Sequence, residues 1–171
     1  STDCEDLTDW TAAAAGTSPT IVKTLFSRGV GSLKCYSTGG AQSQMYWTLP
    51  ATQTEYYTQC RFYIPYNTAA QLHEIIGHYS AAPARIVNLE VTDAMLLQAR
   101  NSVAAATYSS GVTVGQGCWH TVQLYTKVHA TTGAVKCWFD DVLVINQSSL
   151  NTGSNAIARI YGGLVTGTGT R

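Results

Sequence analysis

The feature that most constrains this chain is the alternation of apolar and polar residues in short runs bounded by Gly, Pro, Asn or Ser. A two-residue period sends successive side chains to opposite faces of an extended strand, so such runs build sheets that each bury one face. Residues 58–64 place Cys60, Phe62 and Ile64 on one face and Gln59, Arg61 and Tyr63 on the other, before Pro65 ends the run. Residues 121–128 turn Val122, Leu124 and Val128 inward and Gln123, Tyr125 and Lys127 outward. Residues 134–144 continue with Val135, Cys137 and Phe139 inward and Lys136, Trp138 and Asp140 outward. Between these two runs, His129-Ala130-Thr131-Thr132-Gly133 reads as a hairpin turn in which Gly133 supplies a positive φ. A two-residue register at Thr131-Thr132 sets Tyr125 opposite Trp138 and Lys127 opposite Lys136.

One segment carries a conflict. Asp93 followed by Ala94-Met95-Leu96-Leu97-Gln98-Ala99-Arg100 has an N-cap and good helix formers, which on propensity alone give a helix to about Ala106. The flanks read as strands, so we expect a hairpin instead, 95–99 with 103–108, turning at Arg100-Asn101-Ser102. Ten or more short strands at regular spacing indicate an all-β, two-sheet antiparallel jelly-roll sandwich. A length of 171 residues suits one domain, 1–171, since a chain near 150 residues buries roughly 70% of its unfolded surface.

The opening Cys4-Glu5-Asp6-Leu7-Thr8-Asp9-Trp10, then Gly31-Ser32-Leu33-Lys34-Cys35 and Arg61-Phe62-Tyr63, follow the strand order of one known group. The most specific stretch is Gly117-Cys118-Trp119-His120-Thr121-Val122-Gln123-Leu124 with Thr132-Gly133-Ala134-Val135-Lys136-Cys137-Trp138-Phe139-Asp140-Asp141. Together they resemble the concanavalin A-like lectin/glucanase superfamily, in its laminin G-like branch. The resemblance implies the jelly-roll sandwich and leaves function open. In that group a last strand returns after the one matched by residues 157–165, whereas here Thr166-Gly167-Thr168-Gly169-Thr170-Arg171 follows. The resemblance thus implies a sandwich without its own closing strand, and three readings follow: the strand lies beyond the given sequence, another copy fills an adhesive inner edge by strand addition, or the sheet closes without it.

Charged residues make up 12% of the chain, about half the usual ~25%, and ten basic and ten acidic residues cancel, so nucleic acid and other polyanions are not expected partners. No stretch reaches the ~18 apolar residues of a membrane span, and membrane insertion is not expected. Solubility rests on 36 Ser and Thr residues, a mix suited to an extracellular, cell-surface or virion-surface protein. A start at Ser1 without Met fits a processed chain, and Asn146-Gln147-Ser148 is a glycosylation sequon. Cys4, Cys35, Cys60, Cys118 and Cys137 are disulfide candidates or, equally, buried reduced thiols. Their spacing suits no metal and no cofactor is implied. Structural calcium is common in lectins of the resembled group, but no clustered acidic loop here demands it.

Three functions are weighed. Retaining glucanases of this fold need two carboxylates about 5 Å apart, and no E-x-D-x-x-E exists; Asp140-Asp141 reads as turn chemistry. The favoured reading is therefore a non-catalytic structural or adhesive subunit of a filament, appendage or virion, with other copies of itself as partners. The alternative is a lectin-like module binding glycans through outward Tyr125 and Trp138, with Gln123, Asp140, Arg61 and Tyr63 reaching hydroxyls. The third is a polysaccharide lyase: Gln71-Leu72-His73 resembles the Q-I-H strand of the alginate lyase group, which implies His73 as base with Arg61 and Tyr63 as helpers. The R-[ST]-E and Y-F-K-A-G motifs of that group are missing.

Overall fold

The computed structural model describes residues 11–13, 20–22, 32–35, 43–65 and 73–164. Among them are thirteen strands and no helix: β1 (Thr11–Ala13), β2 (Thr20–Val22), β3 (Ser32–Lys34), β4 (Ser43–Gln53), β5 (Glu55–Tyr63), β6 (His73–Tyr79), β7 (Arg85–Val91), β8 (Leu96–Asn101), β9 (Ala106–Thr113), β10 (Trp119–Lys127), β11 (Gly133–Phe139), β12 (Val142–Leu150) and β13 (Ile157–Leu164). They form a seven-stranded antiparallel sheet, β1-β4-β13-β6-β7-β8-β9, a four-stranded sheet, β12-β11-β10-β5, and the pair β2-β3. The all-β sandwich read from the alternation is the observed architecture.

The inward faces of the two large sheets share one core. Ile76, Val87, Leu89, Val91, Leu97 and Ile160 of the larger sheet meet Val122, Leu124, Val135, Cys137 and Ile145 of the smaller, each worth roughly 1.5–3 kcal/mol when fully buried. A polar pin crosses this core. His78 on β6 is fully buried, with Nε2 2.8 Å from Thr58 Oγ1 on β5 and Nδ1 2.9 Å from Thr126 Oγ1 on β10. Burial pushes the His78 ring down to about 3, so it is neutral, and its two nitrogens bridge the sheets as one donor and one acceptor.

Residues 93–106 form the hairpin and not the helix, because every other residue of β8 (Leu97, Ala99, Asn101) is needed on the inward face opposite Val91, Leu89 and Val87. The turn falls at 102–105, later than expected, because Asn101 Oδ1 accepts from the N–H groups of Val103 and Ala104. In the β10–β11 hairpin the inward and outward assignments hold but the register differs: Tyr125 lies opposite Lys136, Gln123 opposite Trp138 and Lys127 opposite Ala134. The loop is five residues long and is organised by His129, whose Nδ1 accepts from the N–H groups of Thr131 and Thr132. Gly133 has no positive φ; a Cβ there would collide with Thr152 Oγ1 and Leu150 O, so close packing requires the glycine. The positive φ angles sit at Asp140 and Asp141 (46° and 67°), a two-residue turn between β11 and β12.

The stretch after residue 165, in which a closing strand was expected, lies outside the described residues. β13 is hydrogen-bonded to β4 on one side and β6 on the other, so residues 157–164 themselves close the middle of the sheet. Of the disulfide candidates, Cys118 is an exposed thiol, and Cys137 is a buried one pushed up to about 12 by burial. Cys60 faces inward from β5, Cys35 follows β3, and Cys4 lies outside the described residues.

Candidate functional site

The outward face of the seven-stranded sheet is ordered in three cross-strand rows. The first runs Thr48, Arg159, Tyr79, Arg85. The second runs Tyr46, Tyr161, Gly77, Asn88, Arg100, Thr107. The third runs Gln44, Gly163, Glu74, Glu90, Gln98, Ser109. A bulge between Glu74 and Ile76 gives β6 an extra residue, which turns Glu74 outward although Ile76 faces the core.

Gly77 makes the centre of this face. A Cβ there would stand 2.5 Å from both Glu74 Oε1 and Tyr79 Cε2, so only glycine lets these side chains meet above the strand. Tyr79 Oη donates to Glu74 Oε1 at 3.0 Å and accepts from Arg85 Nε at 2.9 Å, while Arg85 Nη2 is 3.0 Å from Glu74 Oε2. Burial pushes the Glu74 carboxyl up to about 7 against the pull of Arg85 and the Tyr79 hydroxyl. Burial and the Glu74 charge together push the Tyr79 phenol up, so it stays protonated. Glu90 is held by Gln98 Nε2 at 2.5 Å and Asn88 Nδ2 at 3.1 Å. Asn88 Oδ1 is buried with no partner among the described residues, at the middle of the second row.

The rings of Tyr79, Tyr161 and Tyr46 form a row, stacked at 4.0 Å and 5.0 Å, and the Arg159 guanidinium lies 4.9 Å over Tyr46. Among the described residues no carboxylate pairs with Arg159 or Arg100, and no hydrogen bond holds the Tyr161 hydroxyl.

The outward face of the four-stranded sheet differs. Tyr57, 62% exposed, lies 4.5 Å from the Tyr125 ring and 6.1 Å from Trp138. Tyr125 Oη donates to Glu55 at 3.1 Å, and Gln123 lies between Gln59 and Trp138. Of the sequence-read binding residues, Tyr125, Trp138 and Gln123 are together here. Arg61 and Tyr63 lie further along β5, with Tyr63 against Trp119, and Asp140 is engaged at the sandwich end. Tyr57 went unread because its opposite-strand neighbours were not known. Asn146 is exposed on β12.

The lyase set His73, Arg61 and Tyr63 is not assembled. Arg61 and Tyr63 are on the smaller sheet; His73 lies opposite Val91, shares its inward face, is 5% exposed and is lowered by burial. No group of three metal-ligating side chains occurs among the described residues.

No protein-family model and no curated protein matches this sequence. Solved structures do. An endo-β-1,4-glucuronan lyase from the fungus Trichoderma reesei superposes with a TM-score of 0.74 at 18% identity, over 94% of this chain and 81% of that one. An alginate lyase solved with an alginate trisaccharide gives 0.57 at 12% identity, over 78% and 68%. A tetrameric galectin from the ball sponge Cinachyrella sp. gives 0.51 at 5% identity, over 73% and 89%. The likeness is one of fold. It agrees with the two-sheet antiparallel sandwich expected from the sequence.

Proposed function

We propose that this chain binds a uronate-bearing polysaccharide across the outward face of the seven-stranded sheet and cleaves it by β-elimination. The observation that carries the reading is the row Tyr46, Tyr161, Tyr79 flanked by Arg159, a guanidinium without a carboxylate partner among the described residues. An arginine fork pairs with a uronate carboxylate, lowering the cost of removing the C5 proton. In this reading Arg159 neutralises the carboxylate and the Tyr161 oxygen, entering the step as phenolate, takes the C5 proton. The C–H electron pair becomes the C4=C5 bond, the C4–O4 bond breaks, and O4 leaves with a proton returned by Tyr161. Glu74 and Arg85 clamp Tyr79, whose ring positions Tyr161 by stacking. The fold shared with glucuronan and alginate lyases supports the same chemistry. Incubation with glucuronan and alginate should raise ultraviolet absorbance from the new C4=C5 bond, and Tyr161→Phe should abolish it. No absorbance from any uronate polymer overturns the proposal.

A second, non-catalytic reading has its own observation. The open Tyr57, Tyr125 and Trp138 cluster suits sugar stacking, as the galectin likeness would lead one to expect. Unchanged retention of Trp138→Ala on immobilised glycans removes it.

A further inference from the structure

At the end of the sandwich where β10 begins, two side chains from neighbouring positions meet a third from the β11–β12 turn. Cys118 is exposed, and its Sγ lies 3.2 Å from His120 Nε2. His120 Nδ1 lies 2.8 Å from Asp140 Oδ2, and Asp140 Oδ1 accepts from the Thr121 N–H at 2.8 Å. The ring is wedged between Phe139 and Phe62, with centroids at 4.8 Å and 5.7 Å, which fixes its plane. Nucleophile, imidazole and orienting carboxylate in that order form the constellation that activates a thiol.

We propose that Cys118, His120 and Asp140 form a reactive-thiol site, separate from the glycan face, that undergoes exchange with low-molecular-weight disulfides. The hydrogen-bond geometry supplies the reason. Asp140 requires a hydrogen on Nδ1, and the Gly115 carbonyl, 3.1 Å from Nε2, favours a hydrogen there as well. A neutral imidazole satisfies only one of them. Passing the thiol proton to Nε2 satisfies both and leaves a thiolate against an N–H donor. The turn that carries Asp140 holds it at a positive φ of 46° in reach of the ring. In the exchange the Cys118 sulfur attacks one sulfur of the disulfide, a new S–S bond forms, the old one breaks, and the other half leaves as thiolate. The proton from Cys118 stays on His120, and the disulfide is the only oxidant.

The test is peptide-resolved labelling of the full chain near pH 7, with iodoacetamide in one sample and with oxidised glutathione in a separate, unalkylated one. Native Cys118 should alkylate at least about tenfold faster than the same residue in the urea-unfolded chain, and should gain one glutathionyl group. His120→Gln and Asp140→Asn should bring its rate toward the unfolded value, while buried Cys137 stays unlabelled in the native protein. A native rate equal to or below the unfolded rate, or variants that label like wild type, overturns the proposal. The native-to-unfolded ratio needs no variant to fold. Cys118→Ser should leave uronate cleavage unchanged, so this site and the glycan face fail independently.

Discussion

On the seven-stranded sheet, Glu74 and Glu90 lie on the outward face yet are 1% and 2% exposed, each bound by two or more side chains. On the four-stranded sheet, Tyr57 is 62% exposed and the ion pair of Lys127 with Glu55 is loose at 3.6 Å in solvent. One face is thus a desolvated electrostatic arrangement, and the other an open aromatic surface. Buried charge of this kind is retained for chemistry more readily than for stability, since isosteric apolar packing would often be as stable. In the proposed reading, a chain of net charge zero would meet an anionic polymer through an uneven placement of its charges. Of the four described arginines, Arg85, Arg100 and Arg159 lie on one face with Glu74 and Glu90, and Arg85 is paired to Glu74, which leaves Arg100 and Arg159 without a carboxylate partner among the described residues.

The largest effect that would break this contrast is catalytic. Tyr161→Phe and Arg159→Ala should lower uronate cleavage by about 10²–10⁴-fold, while Trp138→Ala changes it by less than about threefold. Equal losses in all three assign the chemistry to the wrong face. Next in size, Arg85→Met leaves Glu74 buried without its cation and should cost about 3 kcal/mol in urea unfolding. A loss below about 1 kcal/mol would mean that the clamp is not tight.

Stability against pH should show two opposed limbs. Glu74 rises from 4.5 to about 7 on folding, so its contribution is full below pH 4.5 and is lost as pH rises through 7. His78 falls from 6.5 to about 3, so its contribution is full above pH 6.5 and is lost as pH falls toward 3. Between pH 6.5 and 4.5 the two partly cancel, and below 4.5 the His78 limb alone drives unfolding. Glu74→Gln should remove the alkaline limb and leave the acid one, read by melting temperature across pH. The smallest effect is Lys127→Met, on the exposed pair, within about 0.5 kcal/mol of wild type.

The sandwich was legible because alternation is a local property: 58–64, 121–128 and 134–144 show their inward faces without knowledge of their partners. What alternation could not supply was register. The β10–β11 loop is set by His129 and Thr152, residues of ordinary turn propensity, so the pairing of Tyr125 with Lys136 was out of reach. The candidate site failed for the same reason at longer range. Glu74, Tyr79 and Arg85 look unremarkable until the Glu74/Ile76 bulge and the bare Gly77 bring them over one another, and Tyr161 joins them only because β13 inserts beside β6. His73, chosen from a three-residue likeness, lost to that bulge, which turned its neighbour outward in its place.

The placement of β13 has a consequence for how the protein is made. β4 and β6 leave the ribosome more than a hundred and about eighty residues before the strand that joins them, and until then both present unpaired backbone along the middle of the future sheet. Synthesis therefore passes through a long interval in which the smaller sheet can form while the tyrosine row cannot. A ribosome-bound chain cut short before Ile157 should be caught by chaperones or aggregate, and the same chain extended past Leu164 should be released folded.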